Sequence, residues 1–179
     1  MDADVAEDAF RGGEWLLRAA DDEAAAQRSW LTAGVALLNC GEHFSAVRIN
    51  AEVVWAAAST TDLQETDSFL FGALLGGPVF MDPKAHHYYA LVSVGAAAQY
   101  EWVPRRQAAR LRTDARLLAA GSCIGVPIPE RTVPDGNQPY WCVPARDAGS
   151  LCSAHAVLQL LARGRFAVAT FGEEDPCRP

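Results

Sequence analysis

The chain is poor in lysine and rich in acid. It has a single lysine, Lys84, beside 14 arginines, and its 22 acidic residues give a formal net charge of −7. A protein that binds duplex DNA usually carries a net basic domain or a dense basic stripe. The overall charge therefore argues against nucleic acid as the main partner. The joint abundance of alanine and arginine is typical of a GC-rich bacterial genome and carries no functional information by itself.

Several short functional motifs are also missing. No two of the five cysteines have the C-x-x-C spacing of a zinc site, and the P-loop, G-x-G-x-x-G, H-E-x-x-H and G-x-S-x-G patterns do not occur. The first ten residues, MDADVAEDAF, are acidic and lack the apolar core of a signal peptide. No apolar window is long enough to predict a membrane span. These absences predict a cytoplasmic protein with free thiols, no membrane partner, no metal and no cofactor.

The length of 179 residues fits one domain, and helical patterns flank a central run of strand patterns. This order predicts a single α+β domain with a mixed or antiparallel sheet flanked by helices. We divide the chain into an N-terminal helical segment over 1–33, an α+β core over 34–171 and a disordered tail over 172–179. The large apolar side chains of Trp15, Leu16 and Trp30 in the first segment predict that it packs on the core.

Turn residues predict how the strands are joined. Asp82-Pro83 separates strand patterns at 79–81 and 86–94 and predicts a hairpin. The turn sequence at 134–137 lies between patterns at 123–126 and 140–143 and predicts a second hairpin. Other elements are expected at the following positions: a helix over 67–75 with Phe71, Leu74 and Leu75 on its apolar face, a strand over 100–103, a final helix from Ser150 or Ser153 to Gly164, and a strand over 166–171.

Three segments occur in a suggestive order: Ala46-Val47-Arg48-Ile49-Asn50, then His86-His87-Tyr88-Tyr89, then Gly121 to Pro127 followed by Asp135-Gly136 and Tyr140-Trp141. Over about 100 residues this order resembles the primase-polymerase domain family, the N-terminal part of bifunctional DNA primase/polymerases. The resemblance implies a reduced primase-polymerase-like fold. It also implies a nucleotide site in which a D-x-D strand, a histidine strand and a lone acid would lie on adjacent strands and hold divalent metals.

The chain departs from that pattern at the acids. The D-x-D position carries Arg48-Ile49-Asn50, and the lone acid falls near Arg116. Two arginines would repel Mg²⁺, since two unit charges 4 Å apart interact by about 4 kcal/mol at an effective dielectric near 20. A register slip toward Glu52 or Asp114 would restore one acid but not three. We therefore expect neither polymerase nor primase activity.

The same positions define the candidate site. Arg48, Asn50, Arg116 and Tyr89 are the candidate ligand-binding residues, because arginine suits bidentate recognition of phosphate or carboxylate. His86 and His87 are the candidate catalytic residues if the protein is an enzyme, and strand alternation lets only one of them face the site. Cys123 is expected to be a buried, inert thiol.

Three functional hypotheses follow. The first is a non-catalytic or repurposed domain that binds a protein partner or a small anionic ligand. The second is a metal-independent enzyme of small-molecule biosynthesis that uses a His/Arg cleft. The third is a nucleic-acid-binding accessory protein that uses the five arginines between Arg105 and Arg116.

Overall fold

A computed structural model describes residues 12–96, 114–146 and 150–171. Within these ranges, five helices and seven strands have described bounds, and they are labelled in chain order. The helices are α1 (12–17), α2 (Glu23–Ala33), α3 (Ala51–Ala58), α4 (Leu63–Ala73) and α5 (Ala154–Phe171). The strands are β1 (Val35–Asn39), β2 (Ser45–Asn50), β3 (Val79–Asp82), β4 (His87–Val92), β5 (Ala115–Leu118), β6 (Cys123–Pro127) and β7 (Tyr140–Val143).

Five of the strands form one sheet in the order β5-β2-β4-β3-β7, and β1 and β6 form a separate two-stranded sheet. Every strand pair is antiparallel, and the single parallel contact among the described residues is an isolated bridge between Val92 and Cys152. The predicted α+β class is confirmed. The sheets are antiparallel rather than mixed.

One face of the five-stranded sheet is covered by helices. Successive strand residues point to opposite faces, so Tyr88, Ala90 and Val92 of β4 lie on this side and are fully buried. They join an apolar cluster with residues of α3, α4 and α5. Helices α3 and α5 approach so closely that a Cβ on Gly164 would lie 2.1 Å from the Val53 carbonyl oxygen.

The opposite face of the same sheet is covered in part by a second apolar layer. Ala46, Phe80, Leu91 and Trp141 share a second buried cluster with residues of α1, α2 and the β1–β6 sheet. Trp30 of α2 anchors this layer, since its Nε1 donates a hydrogen bond to the Val126 carbonyl at 2.9 Å. The N-terminal helical residues therefore contribute to the core of the domain.

Local capping explains where several helices begin and end. The Asp22 side chain accepts a hydrogen bond from the Ala25 amide at the start of α2, and the Asp62 side chain accepts one from the Glu65 amide at the start of α4. Gly34 ends α2 with a positive φ of 71°. Acids and glycine at these positions are the signals that the sequence offers for helix boundaries.

The first predicted hairpin is confirmed and the second is wrong. Strands β3 and β4 pair with each other, and the Asp82 carboxylate accepts a hydrogen bond from the Ala85 amide in the connecting turn. Strands β6 and β7 do not pair, because β6 pairs with β1 and β7 pairs with β3. Each of these strands takes its backbone partner from a distant segment, although the Trp141 Nε1 of β7 donates a hydrogen bond to the Pro127 carbonyl of β6 at 3.1 Å.

Three other element predictions need correction. Helix α5 continues through Gly164 to Phe171, so the expected strand over 166–171 is wrong. Helix α4 begins at Leu63 and ends at Ala73, earlier than the predicted 67–75. Of its expected apolar residues only Leu74 is buried, whereas Phe71 and Leu75 are exposed.

Some predictions lie outside the described residues. These are the strand over 100–103, the arginines from Arg105 to Arg112, the tail over 172–179 and the first 11 residues. Among the described helices, none combines the length and apolar character that crossing a membrane requires.

Candidate functional site

Strand pairing brings most of the candidate residues onto one surface. Arg48 is the register partner of Tyr89 on β4 and of Arg116 on β5, and Asn50 is the partner of His87. Register partners point to the same side of a sheet, so all five side chains share the face opposite the helices. They occupy the half of that face beyond the second apolar cluster. We call this surface, with Asp82 at its β3 end, the polar half-face.

Two arginines face each other at its β5 end. Arg48 on β2 is half-buried and Arg116 on the edge strand β5 is exposed. Within the described part of the chain, neither side chain makes an ion pair or a hydrogen bond. Like charges directly opposite each other on adjacent strands destabilise a sheet. The pair is therefore a local concentration of unneutralised positive charge.

The nearby acids do not neutralise this pair. Asp114 precedes β5, and its carboxylate accepts hydrogen bonds from Arg165 of α5 at 2.9 and 3.1 Å. Asp82 accepts from the backbone of its own turn. Glu52 is exposed on the first turn of α3. Among residues 12–96, 114–146 and 150–171, no three metal-ligating side chains are grouped so that they could hold a metal ion.

Asn50 has an uncommitted amide. It is the N-cap residue of α3, where an asparagine side chain commonly accepts a hydrogen bond from the helix. Here the side chain makes no capping bond. Its backbone amide instead donates to the Asp114 carbonyl at 2.7 Å, which continues the pairing with β5. The side-chain amide is thus available on the polar half-face as both donor and acceptor.

The two histidines occupy different places. His86 is exposed in the β3–β4 turn with a φ of 55°, and its ring meets the edge of Trp55 on α3, with the ring centroids 6.1 Å apart. His87 is the first residue of β4 and lies on the polar half-face. Only His87 is therefore placed beside Arg48 and Asn50.

The environment of His87 favours its neutral form. Burial lowers the pKa of the ring from its ordinary value of 6.5, and the charge of Arg48 lowers it further. The Ala85 backbone and Asp82 oppose this shift to a smaller degree. Its Nδ1 is buried and has no hydrogen-bond partner among the described residues. A buried, unsatisfied ring nitrogen is costly unless something else bonds it.

Tyr89 sets the inner margin of the polar half-face. Its ring stacks on Phe80 with centroids 4.7 Å apart and planes 7° from parallel. Burial raises the pKa of its phenol, the charge of Asp82 raises it further and Arg48 lowers it. The hydroxyl is thus held protonated at neutral pH, where it can donate a hydrogen bond.

The thiols differ from expectation at one position. Cys123 is exposed at the start of β6 rather than buried. Cys40 and Cys152 are buried free thiols, and burial raises their pKa values to about 11 and about 12. None of these groups lies on the polar half-face. A raised pKa leaves a thiol protonated and weakly nucleophilic at neutral pH.

A second polar cluster lies under α4 and was not predicted. The Tyr140 hydroxyl is 3.3 Å from the Asp67 carboxylate, and Trp55 Nε1 donates to the Tyr88 hydroxyl at 3.1 Å. Burial raises the pKa of Asp67, and burial followed by the Asp67 charge raises that of Cys142 well above its usual value. These residues lie between Trp55 and Cys142 and share no sequence motif, so only the fold reveals their proximity.

No protein-family model, curated protein or solved structure matches this chain.

Proposed function

We propose that this protein is a repurposed, primase-polymerase-like domain that binds a small anionic ligand on the polar half-face without metal-dependent polymerisation. One observation carries the proposal. Arg48 and Arg116 face each other across adjacent strands, and within the described chain neither is neutralised by an acid. A sheet that keeps two opposed like charges lowers its own stability. An anion bound between them would convert that cost into binding free energy.

The neighbouring groups suit an anion. Arginine presents a planar fork of N–H donors that matches phosphate and carboxylate oxygens. The uncommitted Asn50 amide and the protonated Tyr89 hydroxyl add neutral donors beside it. Half-burial of Arg48 strengthens its interaction with an anion, because solvent screens a buried charge less than an exposed one.

The resemblance supports the loss of polymerase chemistry. A polymerase of that family would need acids at the positions of Arg48, Asn50 and Arg116 to bind divalent metal. These positions lie together on neighbouring strands. The register slip that would recruit Asp114 is disfavoured, since Arg165 already binds both oxygens of that carboxylate. The chemistry left at these positions is recognition of negative charge.

Thermal unfolding in sulfate tests the proposal. A ligand that binds only the native state stabilises it by RT ln(1 + [L]/Kd), so sulfate at constant ionic strength should raise the Tm. Arg48→Gln should abolish the increase, and Arg116→Gln should reduce it. Arg28→Gln, which removes the same charge from an exposed position on α2, should retain it. Equal increases in all four proteins would refute specific binding. No increase in any of them would leave the protein-partner hypothesis as the better one.

A metal-independent enzyme is the second candidate, and the position of His87 favours it. A histidine kept neutral beside Arg48 can accept a proton from an anionic substrate that the arginines hold. Incubation with a mixture of cellular metabolites would test this. Wild-type protein should consume an anionic metabolite while His87→Gln binds anions but consumes nothing. Equal consumption by His87→Gln would exclude His87 as the catalytic base.

A further inference from the structure

We infer that the polar half-face selects doubly charged anions of the phosphate-monoester class over singly charged ones. This inference rests on the proposed function, and it specifies the ligand by charge and shape. It depends on how the charges of Arg48, Arg116 and Asp82 are distributed across the strands.

The positive charge is concentrated at one end of the surface. Arg48 and Arg116 lie on the adjacent strands β2 and β5, and register partners have Cβ atoms roughly 5 Å apart. A singly charged anion between them neutralises one guanidinium and leaves the other charge uncompensated. A dianion neutralises both and removes their mutual repulsion. The second negative charge therefore contributes directly to affinity.

The negative charge lies at the other end. Asp82 on β3 is separated from β5 by two strands, which at about 4.8 Å per strand spacing is about 14 Å. This separation exceeds the Debye length of about 8 Å at physiological ionic strength. Asp82 therefore does not weaken attraction at the Arg116 end, but it repels an anion that approaches β3. The field holds the charged group of a ligand over β2 and β5.

The shape of the surface favours a tetrahedral group with one substituent. Two guanidinium forks need at least three acceptor oxygens, which a phosphate monoester has and a carboxylate lacks. The substituent then extends over β4, where the Tyr89 ring stacks on Phe80 and the half-buried His87 lies beside it. A neutral, partly polar organic group thus fits beside the charged end.

Methyl phosphate and dimethyl phosphate are matched probes for this inference. At pH 8 the monoester is a dianion, since its second pKa is near 6, whereas the diester is a monoanion of similar size. Binding can be followed through the ring resonances of the four histidines. The His87 resonance should shift on binding. The exposed His43 and His155, which lie elsewhere on the chain, serve as internal controls.

We expect wild-type protein to bind methyl phosphate at least about tenfold more tightly than dimethyl phosphate, which corresponds to about 1.4 kcal/mol. Arg116→Gln should reduce this preference to less than about threefold, because only one guanidinium remains to be neutralised. Arg28→Gln should keep the wild-type preference. Arg116 is exposed, so its replacement should leave a folded protein, which the unchanged His43 and His155 resonances would verify.

Two failures are distinguishable. Equal affinities for the two esters, both lost in Arg48→Gln, would overturn the dianion preference while leaving the anion site intact. Absence of binding by either ester, or binding that Arg48→Gln does not affect, would overturn the proposed site together with the inference.

Discussion

The two faces of the five-stranded sheet treat polar groups differently. On the helix-covered face, three hydroxyls have partners: Tyr88 accepts from Trp55, Tyr140 lies in hydrogen-bond range of Asp67, and Thr66 donates to the Asp62 carbonyl. Ser45 Oγ is the exception, since it is buried without a partner among the described residues. On the polar half-face, the described chain offers no ion pair to Arg48 or Arg116. The hydrogen bonds on the helix-covered face stabilise the fold. The opposed arginines on the polar half-face lower its stability, so their presence needs another explanation.

The difference teaches where to look for function in a protein of this kind. A chain that satisfies its polar groups under α3 and α4 has the means to satisfy them elsewhere. Arg165, which binds Asp114 through two hydrogen bonds, shows that it can also pair an arginine with an acid beside β5. Arg48 and Arg116, which have no acid partner within the described ranges, are thus a local exception, and such exceptions are common at functional sites.

The largest predicted loss of stability comes from a substitution in the core of the helix-covered face. Leu70 on α4 is fully buried and Phe71 beside it is 52% exposed. Leu70→Ala should lower the free energy of unfolding by about 2–5 kcal/mol, because it removes buried methyl groups and leaves a cavity. Phe71→Ala should cost less than about 1 kcal/mol. Urea denaturation of both variants measures the difference, and equal losses would contradict the burial of Leu70.

An intermediate effect contrasts two arginines beside the same strand. Arg165→Gln should lower the free energy of unfolding by about 1–3 kcal/mol, since it removes charged hydrogen bonds to the partly buried Asp114. Arg116→Gln should instead raise it by about 0.2–1 kcal/mol in the absence of anions, because it removes a like charge opposite Arg48.

Salt provides the control for this contrast. The gain from Arg116→Gln should shrink at high concentrations of a weakly binding salt, since screening weakens the repulsion between the two arginines. If Arg116→Gln destabilises the protein as Arg165→Gln does, Arg116 has a structural partner and the electrostatic argument for the site fails.

The smallest effect concerns the titration of His87. Because the folded-state pKa lies below the ordinary 6.5, the unfolded state binds more protons as the pH falls through 6.5. The stability that the protein gains from keeping His87 neutral is therefore fully present above pH 6.5, and it is lost as the pH falls below that value. The wild-type protein should lose more stability than His87→Gln between pH 8 and about pH 5.5.

Arg48→Gln offers a direct check of the cause. Removing the neighbouring charge should move the pKa of His87 upward, while burial still keeps it below 6.5. An NMR titration of the histidine rings measures this shift. An unchanged His87 pKa would mean that Arg48 is too far away or too well solvated to influence the ring.

Local signals predicted the parts of the fold that local interactions determine. Gly34 ends α2, and Asp82-Pro83 lies in the turn between β3 and β4. Alternation along β4 separates Tyr88 and Ala90, which belong to the helix-side apolar cluster, from Tyr89, which packs against the other cluster. Each of these features depends on residues within a few positions of one another.

The failures lie where distant segments compete. The turn residues at 134–137 favoured a hairpin between β6 and β7, yet each strand pairs with a strand far away in sequence. Gly164 suggested the end of α5, but it lies within the helix because only glycine permits the contact with Val53. Periodicity over a short window contains no information about such contacts.

The sequence by itself determined which residue types are present at the candidate positions: Arg48, Asn50 and Arg116 in place of acids, with histidines beside tyrosines. Only the tertiary structure decided that Arg48 and Arg116 are register partners, that His87 rather than His86 joins them, and that Asp114 is already bound by Arg165. The physical reason is that strand register is fixed by burial of both apolar clusters across the whole sheet. A local sequence pattern specifies side-chain chemistry, but the proximity of two charges depends on how the rest of the chain packs.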